Sequence, residues 1–213
     1  TAVALAAALG AEHCEICSDV DGVYTGDPRV VDAPRLLHAI SYDEMQELAE
    51  HGAKVLNPQA VEFARRADIA IYARATAQAP GSPGGTRVGG PAQKTRGAVG
   101  VTGMTGLSEL AVKGARGSEL LAALCREQLA VKRFAAGPGG ATAVLSREDV
   151  PDWPAVRARL LDELGGDLVV GADDLAAATV VGEGIGSDPE TLARALGIAR
   201  ECGIEPRGQD GSP

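Results

Sequence analysis

Residues 18–29 read Ser-Asp-Val-Asp-Gly-Val-Tyr-Thr-Gly-Asp-Pro-Arg, and no other stretch of the 213-residue chain carries as much chemistry. Ser18 offers a hydroxyl, Asp19 a carboxylate that could order a ribose hydroxyl or a hydrated metal, and Tyr24 a phenol. The Asp27-Pro28 step fixes an extended turn that aims Arg29, which taken alone reads as a salt-bridge partner for Asp27 or Asp32. Asp21-Gly22 fits a type I′ or II turn with no ligand role. The Asp19, Asp21, Asp27 spacing lacks the third ligand before glycine and the closing glutamate of a calcium loop, which excludes that reading.

A second block, Gly52-Ala53-Lys54-Val55-Leu56-Asn57-Pro58, places Lys54 in a short joint between two helix patterns. Its ammonium could face nucleotide phosphates; without the flanking residues it reads as a solvated surface lysine.

The elements that must hold these groups are legible around them. Thr1–Leu9 reads as a buried helix and Glu15–Val20 as a strand entering the polar loop, the place where α/β folds put ligand chemistry. Ser41-Tyr42-Asp43-Glu44 has capping-box form, with Met45, Leu48 and Ala49 as the apolar face and Gly52 as the stop. Asn57-Pro58 restarts helix as N-cap and first residue, with Val61, Phe63 and Ala64 turned inward. Residues 69–73 suit a buried parallel strand. A Gly/Pro-rich stretch follows, read as a linker over 79–96. Beyond it come strand 107–113, helix 117–128, strands 130–135 and 141–146, helix 154–164 and strand 168–170. That β-α-β-β-α-β order is ferredoxin-like. A second round starts with strand 177–181 and helix 190–201 and looks incomplete.

The 18–29 segment resembles the nucleotide-site segment of aspartate kinases, [ST]-D-V-D-G-[VI]-Y-T-x-D-P-R, and the 52–58 block resembles that family's G-A-K-V-L-H-P, with Asn57 where histidine is usual. Thr1 resembles the last threonine of the family's G-G-S-D-T-T-A loop. Gly85-Thr86-Arg87-Val88 is similar to the Gly-Thr-x-[IV] where such kinases pass from catalytic to regulatory region. Gly182-Glu183-Gly184-Ile185-Gly186-Ser187-Asp188-Pro189 is similar to the G-x-G-M-x-S-H-P of their second ACT domain. The resemblance is specific over residues 1–76 and diffuse over 97–205.

The resemblance implies an α/β fold: an amino-acid-kinase-like three-layer half-domain over residues 1–78, the 79–96 linker, a ferredoxin-like ACT unit over 97–171 and an incomplete one over 172–213. It implies an ATP-dependent aspartate kinase that uses ATP with Mg²⁺ to make 4-phospho-L-aspartate, the first step toward lysine, threonine and methionine. Ser18, Asp19, Tyr24, Arg29, Lys54 and Val55 would be its nucleotide-binding residues, with no catalytic or metal residue in this chain. The alternative is a non-catalytic ACT-containing regulatory subunit. L-aspartate and ATP are the implied partners of the complete enzyme, with a homodimer through the ACT units or pairing with a kinase subunit. The first ACT turn, Lys113-Gly114-Ala115-Arg116-Gly117, lacks the D-x-P-G of effector-binding ACT domains, so no effector is assigned. The chain opens without methionine inside a helix pattern. The family's Lys-x-Gly-Gly and Gly-Gly-Ser-Asp loops would precede Thr1, so the fragment alone is expected to be inactive.

Composition narrows the classes. A net charge of −9 argues against nucleic-acid and anionic-membrane surfaces. With one tryptophan, three tyrosines and two phenylalanines, base-stacking platforms are not expected. Apolar runs such as 2–9 are far too short for a bilayer, and a cytoplasmic protein is expected. No G-x-x-x-x-G-K-[ST] is present, which excludes a P-loop kinase. Of the four cysteines, Cys14 and Cys17 stand three apart on a strand and face opposite ways, which spoils a shared metal site. All four are expected to be buried free thiols.

Overall fold

The computed structural model describes residues 1–77, 84–90, 97–171, 173–209 and 211. The chain divides into two compact units, Thr1–Gly103 with Ala178–Pro213, and Met104–Ala177. Both are α/β in composition. The 79–96 stretch lies partly outside the described residues; its described part, 84–90, holds a strand.

In the first unit, helix α1 (Ala2–Ala8) leads to strand β1 (His13–Ser18). After a long polar excursion come the short strand β2 (Ala39–Ile40), helix α2 (Tyr42–Glu50), helix α3 (Pro58–Ala67), and strands β3 (Ala70–Ala75) and β4 (Thr86–Val88). The sheet order is β1-β3-β4-β2. β1 runs parallel to β3, with Cys14 opposite Ile71 and Ser18 opposite Ala75, and β4 runs antiparallel to β3. The core joins Val3 and Ala6 of α1, Met45 and Leu48 of α2, Val61 and Ala64 of α3, and Ile71 and Val88 of the sheet.

Local chemistry sets the helix starts. The Ser41 hydroxyl accepts the Glu44 N–H while the Glu44 carboxylate accepts the Ser41 N–H, so two otherwise orphaned donors of α2 are satisfied reciprocally. Asn57 Oδ1 accepts the N–H groups of Gln59 (2.9 Å) and Ala60, and Pro58 fills the first position of α3.

Three expectations are corrected. Phe63 is 44% exposed, because at about 100° per residue it lies about 160° around the helix from Val61 and about 100° from Ala64. α1 buries only Val3 and Ala6, and Leu5 and Leu9 share its exposed face. Only Cys14 of the four free thiols is buried; Cys17 points to the other face of β1, Cys125 sits on an exposed position of helix Gly117–Arg126, and Cys202 is exposed just beyond helix Pro189–Glu201.

The second unit is built on strand β5 (Gly100–Lys113), helix α4 (Gly117–Arg126), strands β6 (Val131–Gly137) and β7 (Gly140–Ser146), helix α5 (Trp153–Leu164) and strand β8 (Leu168–Val170). The division between units runs through β5 and through the next strand, β9 (Leu175–Val181), which also pairs with β5. The order β6-β7-β5-β8, all antiparallel, is the ferredoxin-like arrangement expected from the sequence. Leu110, Leu120, Leu124, Leu145 and Leu160 form its core. At the start of α4 the Arg116 guanidinium donates to Glu119, to Asp167 Oδ2 at 2.8 Å and to the Leu164 carbonyl, tying that helix start to the end of α5. Helix α6 (Pro189–Glu201) follows β9, capped by Asp188. No helix among the described residues is long and apolar enough to cross a membrane.

Candidate functional site

β1 ends at Ser18, two residues earlier than its apolar pattern suggests. The Ser18 hydroxyl turns back to the backbone of Val20, donating to its carbonyl at 3.2 Å and accepting its N–H at 3.3 Å, and this local bonding competes with the strand ladder. Thr76, just beyond β3, donates both its N–H and its hydroxyl to the Ser18 carbonyl at 2.9 Å. The carboxyl ends of two adjacent parallel strands are thereby clamped side by side.

The polar segment leaves this point as a hairpin. Tyr24 bridges Leu36 in antiparallel fashion, Thr25 N–H donates to the Arg35 carbonyl, and Leu37 N–H donates to the Val23 carbonyl at 2.8 Å. Its tip carries the Asp27-Pro28-Arg29 turn, with the N–H groups of Val30 and Val31 both on the Asp27 carbonyl. Asp19 is exposed at the base. Tyr24 donates its hydroxyl to Asp21 Oδ1 at 2.7 Å, and that hydrogen bond raises the phenol's pKa. Asp27 accepts the Arg29 N–H at 2.9 Å and Nε at 3.2 Å, with the backbone contact the main cause of its lowered pKa.

The structure places Ser18, Asp19, Tyr24 and Arg29 on one stretch, from the carboxyl end of β1 through the hairpin. Lys54 and Val55 stand on a separate element, the joint between α2 and α3. Lys54 is exposed there, while the Val55 side chain is half-buried against the core. Among the described residues no three His, Cys, Asp or Glu side chains converge as a metal cage.

Two residues near the strand ends escape the sequence reading. Arg74, near the end of β3, is only 5% exposed, 3.5 Å from Glu15 of β1. Its signal is a charge inside an otherwise apolar strand. Thr86 of β4 is 1% exposed and accepts the Val23 N–H at 2.7 Å; it lies within the Gly-Thr-Arg-Val motif, where composition alone reads as a linker.

The clamped parallel strand pair opens into a polar hairpin, and Lys54 stands apart from it in the joint between two capped helices. The profile of the amino acid kinase family matches residues 1–73. An aspartokinase of Thermus thermophilus is 31% identical over 206 residues, covering 91% of this chain and 50% of that protein. The aspartokinase of Bacillus sp. MGA3 is 59% identical over 76 residues, 36% of this chain and 18% of its own. In fold the chain matches E. coli aspartokinase III, solved in complex with aspartate and ADP, at a TM-score of 0.82 and 26% identity, over 94% of this chain and 47% of that one. The chain is thus similar to the amino acid kinase family over residues 1–73 and to aspartokinases over most of its length. It spans about half the length of the Thermus relative.

Proposed function

We propose that this chain supplies the nucleotide side of an ATP-dependent aspartate kinase, with residues 1–78 as its part of the kinase domain, 79–96 as linker, and 97–171 and 172–213 as ACT-like regulatory units. The reaction is ATP + L-aspartate to 4-phospho-L-aspartate + ADP, at the head of lysine, threonine and methionine synthesis, in the cytoplasm. The observation that carries this reading is the Ser18–Arg29 hairpin at the carboxyl ends of β1 and β3. It gains support from the aspartate and ADP held by the E. coli relative.

Phosphoryl transfer asks little covalent chemistry of the protein; it requires two anions held in line and the spreading charge neutralised. Arg29 and Lys54 are the cations for the phosphates, one from the hairpin tip and one from the α2–α3 joint. Val55 contributes backbone, since its side chain packs against the core. Ser18, Asp19 and Tyr24 face the nucleoside and its phosphates. With no cage of three ligands among the described residues, Mg²⁺ would be held chiefly by phosphate oxygens and water, with Asp19 available to its hydration shell. The ACT-like units associate the protein as a homodimer or with a kinase subunit.

The test is hydroxylamine trapping of acyl phosphate by the protein that contains this segment. Hydroxamate formation that requires both ATP and aspartate supports the reading. Its absence with aspartate, alongside turnover of another carboxylate or phosphate acceptor, refutes it.

A further inference from the structure

Thr86 spends its hydroxyl entirely inside the protein. Oγ1 accepts the Val23 N–H at 2.7 Å and donates to the Leu37 carbonyl at 2.6 Å. Val23 and Leu37 are the two feet of the polar hairpin. β4, which carries Thr86, is itself fixed: Thr86 pairs with Ala73 of β3, and the Arg87 N–H donates to the His38 carbonyl at 3.0 Å. One side chain therefore bolts both feet of the hairpin to the sheet. The backbone at Gly22 rests directly on the bolt. A Cβ there would lie 2.6 Å from Thr86 Oγ1 and 2.8 Å from Leu36 Cδ1, so the Asp-Gly step of the motif is shaped to the threonine.

We propose that Thr86 is a positioning residue for nucleotide binding, holding the hairpin that carries Asp19, Tyr24 and Arg29 in register with the ends of β1 and β3. The inference rests on the reading of that hairpin as the nucleotide site. Thr86 acts through the hairpin, since at 1% exposure it has no surface for a ligand. Without the hydroxyl, the Val23 N–H, on a residue only 2% exposed, loses its partner. A buried donor left unmade is costly enough to move the neck toward water, and displacement of about 1 Å at a binding group is costly in turn.

The test uses the 213-residue chain with ADP and Mg²⁺, comparing wild type, Thr86→Val, which keeps the shape and loses the hydroxyl, and Thr86→Ser, which restores it. Calorimetry gives the ADP dissociation constant, and amide exchange reads Val23 and Leu37, with the α3 amides as the control for folding. The expected result for Thr86→Val is faster exchange at Val23 and Leu37, an ADP affinity weakened about ten- to a hundredfold, and α3 unchanged. Thr86→Ser should recover most of the affinity. Equal ADP binding by wild type and Thr86→Val overturns the positioning role alone. Equal weakening in the Val and Ser variants, or lost α3 protection in Thr86→Val, overturns it too, since shape or folding would then be the cause. A wild-type chain with a protected Val23 amide and no ADP binding overturns the nucleotide reading itself and the positioning role with it.

Discussion

Gly85→Ala should break the first unit and spare the second. β4 meets β3 at Gly85, whose φ is +84°. A Cβ there would sit 2.5 Å from the Ala73 carbonyl oxygen and 3.1 Å from Arg74 Cβ. Neither neighbour can give easily, because Ala73 is held in register with Ile16 of β1 and with Thr86 of β4. The left-handed backbone costs an L-residue about 1–2 kcal/mol, and the overpacking adds about 1–3 kcal/mol. The expected loss is therefore about 2–5 kcal/mol, on the order of 1–2 M in urea midpoint at typical slopes. The aromatic residues separate the readouts. Tyr24, Tyr42 and Tyr72 all lie in the first unit, and Trp153, the one tryptophan, lies in the second. Urea melts of Gly85→Ala should show the tyrosine transition shifted down and the tryptophan transition unmoved. A tyrosine shift below about 1 kcal/mol, within the scatter of mild substitutions, would refute the steric argument. A common shift of both signals would refute its confinement to one unit.

Lys54→Ala, in the kinase that contains this segment, should raise KM for ATP about ten- to a hundredfold, since one charge-assisted contact is worth about 1.5–3 kcal/mol, and leave KM for aspartate nearly unchanged; steady-state kinetics with unmoved ATP parameters would return Lys54 to the solvated surface. Ser41→Ala removes the capping box of α2, where the Ser41 hydroxyl also donates to Glu44 Oε2 at 2.7 Å, and should lower the tyrosine-detected stability by about 1 kcal/mol. The Asp188 carboxylate accepts the Thr191 hydroxyl and the Thr191 and Glu190 N–H groups at the start of α6, and these bonds, the hydroxyl's first, hold its pKa below the ordinary 3.8. A lowered folded-state pKa means the cap contributes fully above the ordinary value and is lost as pH falls through the lowered one. Protection of the α6 amides, measured against their intrinsic exchange rates, should fall over that acid range in wild type, and protection that does not vary with pH in Asp188→Asn, which keeps a capping oxygen, is the matching expectation.

Much of the fold can be read from periodicity and caps. The Ser41 box, the Asn57-Pro58 start and the β-α-β-β-α-β order of the second unit are local signals, carried by residues within a few positions of one another. The failures are non-local. Residues 84–90 have the composition of a linker, yet Gly85 is required by crowding against Ala73, and only then can Thr86–Val88 pair with β3. Composition cannot tell a glycine that frees a chain from one that lets two strands approach. Phe63 reads as inward because its neighbours Val61 and Ala64 are, although 100° per residue takes it off their face. Within the candidate site, the polar loop from Ser18 to Arg29 is legible, while the strand's stop at Ser18, the hairpin pairing and Thr86 are not. Thr86 is 63 residues from Val23 and 49 from Leu37 in sequence, and nothing local marks its hydroxyl as the hairpin's anchor.

The hairpin's side chains divide by what they already bind, and the division bears on which of them is free to meet phosphate in the proposed nucleotide site. Ser18, Asp21 and Tyr24 are committed to bonds that shape the loop. Arg29 is also paired, through Asp27, but that pair is of another kind: its side chains are 80% and 46% exposed. An ion pair so open to water is worth at most about 1 kcal/mol, less than the about 1.5–3 kcal/mol of a charge-assisted contact to a bound anion. The Asp27 bond to the Arg29 N–H survives if the guanidinium swings away, because it is made to backbone. Asp27 can thus keep the turn while releasing the side chain, and the Asp-Pro-Arg exit works as a turn with an exchangeable cation. By the same measure Asp21 is poorly placed to serve a ligand, since its carboxylate is the acceptor that fixes Tyr24.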